Sequence, residues 1–367
     1  MSYSSHGECI SVGVKAHVLY SRILKEETFW GLLNCDSVAE ITDQLKNTEG
    51  YGPHLETLPP REIHRHDLEY ALKASLLTEA NGFLLYFNGT RDTFFRAWVA
   101  WYEAENLKNI FRHVMSDSTD RERLRRRLFL IPGTALSYDA LLMARNFGEI
   151  GEALRGTVFY RVLIEPLKRL VTGEEKSLFP LEMAVDTLVE NALYKAMMRL
   201  ESSARRLLMP IFGARIDLLN TYIIYRALAF YHMSPEETLN RLLPVRHKIQ
   251  LSQLRRLCRS GTLAEALEIL EETSPAYAAI FKNSLQQPEP QLALERNINR
   301  FLYLQALRVY RTGAPGFHTA ISYFLLREFE IKDLIKIIED VRYDYDRRHA
   351  VSYLTRPILS GGDISWQ

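Results

Sequence analysis

One pattern occurs three times along this chain, and it requires a fold in which the same capped helix start recurs. Numbered from Glu40, Glu149 and Glu265, it places Leu32, Leu141 and Leu257 eight residues earlier. Val38, Phe147 and Leu263 stand two before, and Leu45, Leu154 and Leu270 five after. Thr48, Thr157 and Thr273 follow at plus eight, and then come Tyr51, Tyr160 and, one residue late, Tyr277. Three residues before each glutamate is Ser37, Asn146 or Thr262. These are good N-cap residues, and a glutamate at the third helical position completes a capping box. The apolar residues at minus two, plus one (Ile41, Ile150, Ala266) and plus five share one helix face. The glutamate therefore has a structural task at the start of an amphipathic helix.

A second pattern also occurs three times, on longer helical stretches. Numbered from Glu103, Asp217 and Glu328, it has Ala100, Ala214 and Leu325 three before and Ile110, Ile224 and Ile335 seven after. Asn106 and Asn220 stand three after the acid, with Ile331 in the last copy. Arg112 and Arg226 stand nine after it, with Ile337 in the last copy. The acid shares a stripe with the isoleucine, so it is expected to be partly buried. A buried carboxylate must be hydrogen-bonded or paired. It either packs one repeat on the next or lines a polar cavity. The two patterns have similar periods. The first steps from 40 to 149 to 265, and the second from 103 to 217 to 328.

The chain opens on the first pattern and closes on the second. The C-terminal acid helix lacks a following capped helix, and the N-terminal capped helix lacks a preceding acid helix. Their meeting would complete a third unit. The expectation is an all-α fold of three repeats related by approximate threefold symmetry. The units would be 1–102 with 317–367, then 103–213, then 214–316.

Other local signals agree with a helical chain. Ile321, Phe324, Leu325, Ile331, Leu334, Ile335, Ile338 and Val341 form a helical stripe. Ser234-Pro235-Glu236-Glu237 marks a helix start. Pro132-Gly133, Gln287-Pro288-Glu289-Pro290 and Gly313-Ala314-Pro315-Gly316 mark breaks. Asn81-Gly82 and Asn88-Gly89 read as helix ends around a buried run from Phe83 to Phe87. The 367 residues are 47% hydrophobic, enough for a large core. Lys and Arg (46) almost cancel Asp and Glu (45), unlike a general nucleic-acid binder. Cys9, Cys35 and Cys258 are too few and too scattered for a disulfide framework and suit a reducing compartment. The N-terminus lacks the apolar run of a secretory signal. The greasiest segment, Leu218 to Met233, contains Asn220, Arg226 and His232, so no direct membrane span is expected.

With these residues in view, the chain resembles the C subunits of A/V-type ATPases, the family that includes the d subunits of eukaryotic vacuolar proton pumps. Tyr323-Phe-Leu-Leu-Arg-Glu328-Phe-Glu330-Ile331 looks like the family's C-terminal aromatic, basic and acidic motif. Glu103-Ala-Glu-Asn106-Leu-Lys108 and Ile216-Asp217-Leu-Leu-Asn220 look like its internal acid–Asn helices. Val14-Lys-Ala-His-Val-Leu-Tyr-Ser21-Arg-Ile-Leu24 looks like its opening helix, with Val14-Lys15 where an arginine is commoner. The last repeat departs from the pattern by lacking the Asn. The resemblance covers nearly the whole chain and implies a funnel-shaped, non-catalytic rotor component on the cytoplasmic face of the membrane. It would couple central shaft subunits of D and F type to the proteolipid ring of c or K type. It would do so during H⁺ or Na⁺ transport or ATP synthesis. Cofactor, metal and nucleic acid are not implied. The residues expected to line the shaft socket or join the repeats are Glu103, Asn106, Asp217, Asn220, Glu328 and Glu330.

Sharper chemistries have simpler alternatives. Arg121-Glu-Arg-Leu-Arg-Arg-Arg127 could meet acidic partner loops or lipid phosphates, but a solvated helix face is the plainer reading. His64-Arg-His66-Asp67 lacks the further ligands that zinc requires. Cys9 beside His6 reads as a terminus, and Cys258 as a small core residue. Gly133, Gly148, Gly151 and Gly156 form no phosphate-binding loop. Trp98, Trp101 and Tyr102 sit at helical spacing and read as core rather than as a base-stacking platform. The alternative to the rotor component is a free-standing helical-repeat scaffold for protein binding. A hydrolase using the His64–Asp67 region is a third, weaker reading.

Overall fold

The computed structural model describes residues 3–56, 65–231, 233–345 and 347–357. All regular structure among the described residues is helical. In chain order come α1 (Tyr3–Tyr20), α2 (Glu26–Leu33), α3 (Val38–Lys46), α4 (Gly52–Leu55), α5 (Arg65–Leu84) and α6 (Gly89–Met115). There follow α7 (Arg121–Arg125), α8 (Tyr138–Met143), α9 (Phe147–Ala153), α10 (Val158–Thr172) and α11 (Phe179–Met198). The rest are α12 (Ser202–Arg226), α13 (Pro235–Arg241), α14 (Leu251–Arg259), α15 (Leu263–Thr273), α16 (Pro275–Leu285), α17 (Pro290–Tyr310), α18 (Phe317–Tyr343) and α19 (Arg347–Tyr353). A π-helical stretch, Ala227–Tyr231, follows α12. The chain divides into two compact units. One holds Met1–Leu76 and Ser202–Gln367, and the other holds Leu77–Glu201.

The three capped starts fold alike. Ser37 Oγ accepts the Glu40 amide at 3.2 Å, Asn146 Oδ1 that of Glu149 at 2.9 Å, and Thr262 Oγ1 that of Glu265 at 3.2 Å. Such a cap contributes about 1 kcal/mol. The glutamates reach one residue further back than a capping box requires. They accept from the backbone N–H of Asp36 (2.9 Å), Arg145 (2.8 Å) and Gly261 (2.8 Å). Each thereby fixes the angle at which the preceding turn enters its helix. Ser234 and Glu237 form the full box at α13. Pro132, Pro288 and Gly313–Gly316 all fall between helices.

One turn reading is corrected. Asn81-Gly82 is no helix end, because α5 runs through it to Leu84. Leu68, Leu72, Leu76, Ala80 and Phe83 are all buried at helical spacing, and this stripe outweighs the turn preference of Asn-Gly. Asn88, in extended backbone, does begin α6.

In the larger unit, α18 is the core element. It is buried on nearly all sides from Phe317 to Ile338, packing against α1, α2, α3, α12, α17 and α19. Its buried charged side chains, Arg327, Glu330 and Asp333, are hydrogen-bonded or paired, as an interior requires. α1 approaches the turn before α18 closely. A Cβ on Gly13 would lie 2.4 Å from the Pro315 carbonyl carbon. In the smaller unit, α6 and α11 run antiparallel. Arg91 pairs with Glu201 (2.8 Å), Lys108 with Asp186 (2.8 Å) and Arg112 with Glu182 (2.8 Å). Beneath them Leu107, Ile110, Leu163, Val185 and neighbours form a continuous apolar cluster. Trp98 and Tyr102 belong to an aromatic chain running from Phe87 through Phe95 to Phe129.

The sequence reading placed no membrane-length apolar stretch in the chain. α12 with its π-helical end, Ser202–Tyr231, does have the length, and its most apolar window has a mean hydropathy of 1.3. However, 61% of its most apolar window is buried inside the fold, and it carries the buried Asp217 and Asn220.

Candidate functional site: a repeated clamp of acid and amide

The long helices α6, α12 and α18 each hold a polar pair on their buried face. In α6, Asn106 Oδ1 accepts the Phe129 amide at 2.8 Å, while Asn106 Nδ2 donates to the Phe129 carbonyl at 2.9 Å. In α12, Asn220 Oδ1 accepts the Leu243 amide at 2.8 Å, and Asn220 Nδ2 donates to the Leu243 carbonyl at 3.2 Å. In both copies the clamped residue lies 23 positions downstream. A primary amide suits this task, because it offers a donor and an acceptor side by side.

The third copy corrects the sequence register. Ile331 does not replace the Asn. Asp333, fully buried, accepts from Thr355 N (2.7 Å) and from Arg356 N (2.8 Å), the latter again 23 residues downstream. The aligned sets are therefore Glu103-Asn106-Ile110, Asp217-Asn220-Ile224 and Glu330-Asp333-Ile337. Their isoleucines are buried alike, at 0%, 1% and 0% exposure. The counterpart of Asp217 is thus Glu330 rather than Glu328.

The acids confirm this alignment by what they hold. Asp217 accepts from the backbone N–H of His247 (3.0 Å), Lys248 (2.7 Å) and Ile249 (3.3 Å), just ahead of α14. Glu330 accepts from Leu24 N (2.7 Å), just ahead of α2, and from the Tyr51 hydroxyl (2.9 Å). Ile249 and Leu24 each stand eight residues before the first pattern's leucine, Leu257 or Leu32. The segments carrying the first capped start and the last acid helix therefore meet, α2 and α3 packing on α18. Arg327, 1% exposed, ties the seam by pairing with Glu330 and donating to the Gly50 carbonyl (2.8 Å). Its guanidinium lies 3.9 Å from the centre of the Tyr51 ring. Arg356 Nη1 adds a bond to the Leu24 carbonyl at 2.5 Å.

Electrostatics separate the six predicted residues. Asn106, Asp217, Asn220 and Glu330 are all buried at 3% exposure or less and spend their polar atoms on the fold. Burial pushes the Asp217 carboxyl up, and the three loop amides pull against it. Burial likewise raises Asp333 against its two amides. Glu103 is half-buried, and burial raises it against a bond from the Thr134 hydroxyl. Beside it the Tyr138 phenol, mainly through burial, is pushed up to about 12. Glu328 is different. Its side chain is 27% exposed and pairs with Lys332 at 2.7 Å. Burial works to raise its carboxyl, but Lys332, Arg215 and Lys73 together hold it below the usual range.

The other candidates find plainer places. Cys258 is buried, and burial lifts its thiol to about 11, which removes nucleophilic character at neutral pH. Among the described residues no three His, Cys, Asp or Glu side chains are grouped to hold a metal. His64 lies outside the described residues, as do the side chains of His6 and Cys9. In the run 121–127, Leu124 is buried while Arg123, Arg125 and Arg126 are exposed.

This is a helical-repeat protein whose polar residues, at equivalent positions, clamp the loops that start the next helices. More narrowly, the family model for the ATP synthase (C/AC39) subunit matches residues 13–353, and the chain belongs to that family. The C subunit of the A-type ATP synthase of Methanosphaera stadtmanae is 22% identical over 323 residues, 86% of this chain and 79% of that protein. Its namesake from Methanothermobacter thermautotrophicus is 22% identical over 333 residues, 88% of this chain and 80% of that protein.

Proposed function

We propose that this chain is the non-catalytic central-stalk component of an A/V-type ATPase. It acts as the socket that couples the shaft subunits of D and F type to the proteolipid ring, on the cytoplasmic face of the membrane. The observation that carries the reading is the family match across residues 13–353. The clamp supports it mechanically. A torque adaptor must resist deformation, and buried acid and amide groups that bind loop backbone within each repeat stiffen that repeat. We take the repeats to be 1–102 with 317–367, 103–213 and 214–316. Within this reading Glu328, partly exposed beside Lys332, is the predicted polar residue best placed to meet a partner.

The test is purification of the intact complex from membranes. The chain is expected to copurify with shaft and ring subunits. Glu328→Lys is expected to weaken that assembly more than it lowers the melting temperature of the isolated chain. A chain that purifies alone under conditions that preserve the complex would favour the free-standing scaffold and overturn the proposal.

A further inference from the structure

The smaller unit carries a concentration of positive charge that the clamp does not use. From 121 to 145 the sequence holds Arg121, Arg123, Arg125, Arg126, Arg127 and Arg145 against only Glu122 and Asp139. The whole chain, by contrast, is nearly neutral at +1. Leu124 and Leu128 turn into the core, and Arg123, Arg125 and Arg126 beside them are exposed. No acid answers them. Arg121 donates to the Met143 carbonyl at 3.3 Å, and Arg126 reaches the Glu122 carbonyl at 3.5 Å. Among the described residues, none of the Arg121, Arg123, Arg125 and Arg126 guanidiniums pairs with a carboxylate.

Exposed apolar side chains belong to the same patch. Leu130 is 82% exposed. It follows Arg126 by four residues, so their Cα atoms are at most about 14 Å apart. Met143 is 63% exposed, and its sulfur lies 3.7 Å from Arg121 Nη1. The fold holds Leu130 out. Its neighbour Phe129 is buried, with both backbone groups bonded to the Asn106 amide and its ring edge-on to Tyr102. The place beside Leu130 in the core is thus already filled, and the leucine is left in water.

A second basic stretch shows what distinguishes the first. On α14, Arg255, Arg256 and Arg259 are also exposed. There Glu272 pairs with Arg256 at 3.0 Å, and no exposed large hydrophobic residue accompanies the charge. Arginine alone suits any polyanion. Arginine beside bare aliphatic side chains suits a surface that offers phosphate at one depth and hydrocarbon at the next. Guanidinium groups match phosphate oxygens in geometry as well as charge, and Leu and Met gain by leaving water.

We propose that this patch docks on an anionic lipid bilayer, with Arg123, Arg125 and Arg126 on headgroup phosphates and Leu130 and Met143 inserted below them. The contact requires only this chain, so it stands or falls separately from assembly into a rotary complex.

The experiment sediments the full chain with vesicles of phosphatidylcholine, with and without phosphatidylglycerol, at low and high salt. Binding is expected with phosphatidylglycerol, weakening as salt rises, and not with phosphatidylcholine alone. Arg123→Gln, Arg125→Gln and Arg126→Gln together should weaken it about a hundredfold, at about fivefold for each arginine at an anionic surface. Arg255→Gln, Arg256→Gln and Arg259→Gln remove the same net charge from α14 and should leave binding nearly unchanged. Leu130→Ser should weaken it about tenfold. Thermal unfolding should be unmoved in Leu130→Ser, because the side chain is exposed, and it checks that both triple variants fold. Equal losses in the two triple variants would reduce the effect to overall charge and overturn the proposal. Unaltered binding in Leu130→Ser would overturn it as well. Retention on immobilised polyglutamate without sedimentation on any vesicle would assign the patch to an acidic protein instead, and absence of binding to every probe would leave it a solvated surface; either result overturns the lipid contact.

Discussion

Removing one clamp amide has a consequence that can be sized from the contacts. Asn220→Ala deletes the acceptor of the Leu243 amide and the donor to its carbonyl, bonds of 2.8 and 3.2 Å. Leu243 is 5% exposed, so water replaces those partners poorly. Each buried group left unsatisfied costs about 1–3 kcal/mol, giving roughly 2–4 kcal/mol for the pair after partial relaxation. Asn106→Ala removes the same two bonds from Phe129 and one to the Tyr138 hydroxyl, as Asn220→Ala also removes a long one to the Val245 carbonyl, so the two costs should be similar. Denaturant unfolding of the purified chain gives the total. Amide hydrogen exchange at Leu243 and Phe129 gives the local effect, expected as a loss of protection of about a hundredfold for ~2.7 kcal/mol. Each variant should expose its own clamped loop and leave the other protected. If both variants melt within about 0.5 kcal/mol of the unaltered chain, the clamp is ornamental and the reasoning fails.

Three further outcomes follow from the same geometry. Glu330→Gln leaves the Arg327 guanidinium buried without its counter-charge and should cost about 3–5 kcal/mol in denaturant unfolding; an unaltered midpoint would mean the seam carries no load. Gly13→Ala drives a methyl into the Pro315–Gly316 backbone, which cannot rotate away, and should cost about 1–3 kcal/mol by thermal melting. Glu328 has a folded pKa below its ordinary 4.5, so its contribution is present above that value and is lost as pH falls through the lowered one. Urea midpoints measured from neutral to acid pH should therefore fall less steeply for Glu328→Gln. Asp333 has the opposite sign, its raised pKa withdrawing stability as pH climbs above the ordinary 3.8.

What the sequence made legible was local. Ser37, Asn146 and Thr262 announce their helices because a cap and its glutamate interact within one turn, and no distant contact is needed to place them. The membership of Glu103, Asn106, Asp217 and Asn220 in one recurring stripe was legible for the same reason. Their partners were not. Nothing near Asn220 in sequence points to Leu243, since a separation of 23 residues is fixed by tertiary packing alone. The last repeat was misaligned by two residues because Arg327-Glu328-Phe329-Glu330 offers two acids. Two residues turn a helix by about 200°, so these acids face nearly opposite sides. A signal for the correct choice was present. Glu330, Asp333 and Ile337 reproduce the spacing of three and seven found in the other copies, with Asp standing where the others have its near-isostere Asn. The choice also steps from 103 to 217 to 330, a more even period than one ending at 328.

The substitution of Asp for Asn has its own physical logic. Asn106 and Asn220 meet both the N–H and the carbonyl of one residue, for which an amide is the matching group. Asp333 meets two N–H groups in succession, Thr355 and Arg356, for which two acceptor oxygens are needed. The difference accompanies the closing of the chain. In α12 the acid receives amides from the loop between α13 and α14. In α18 the corresponding amide comes from Leu24, 306 positions away. The segment 354–356 therefore lies between α18 and Leu24, held from one side by Asp333 and reaching the other through Arg356 Nη1. A carboxylate turns the whole backbone segment amide-first toward α18 and lets the Arg356 side chain reach the Leu24 carbonyl. The last repeat has thus kept the clamp while altering its chemistry at the position where the start of the chain must be held.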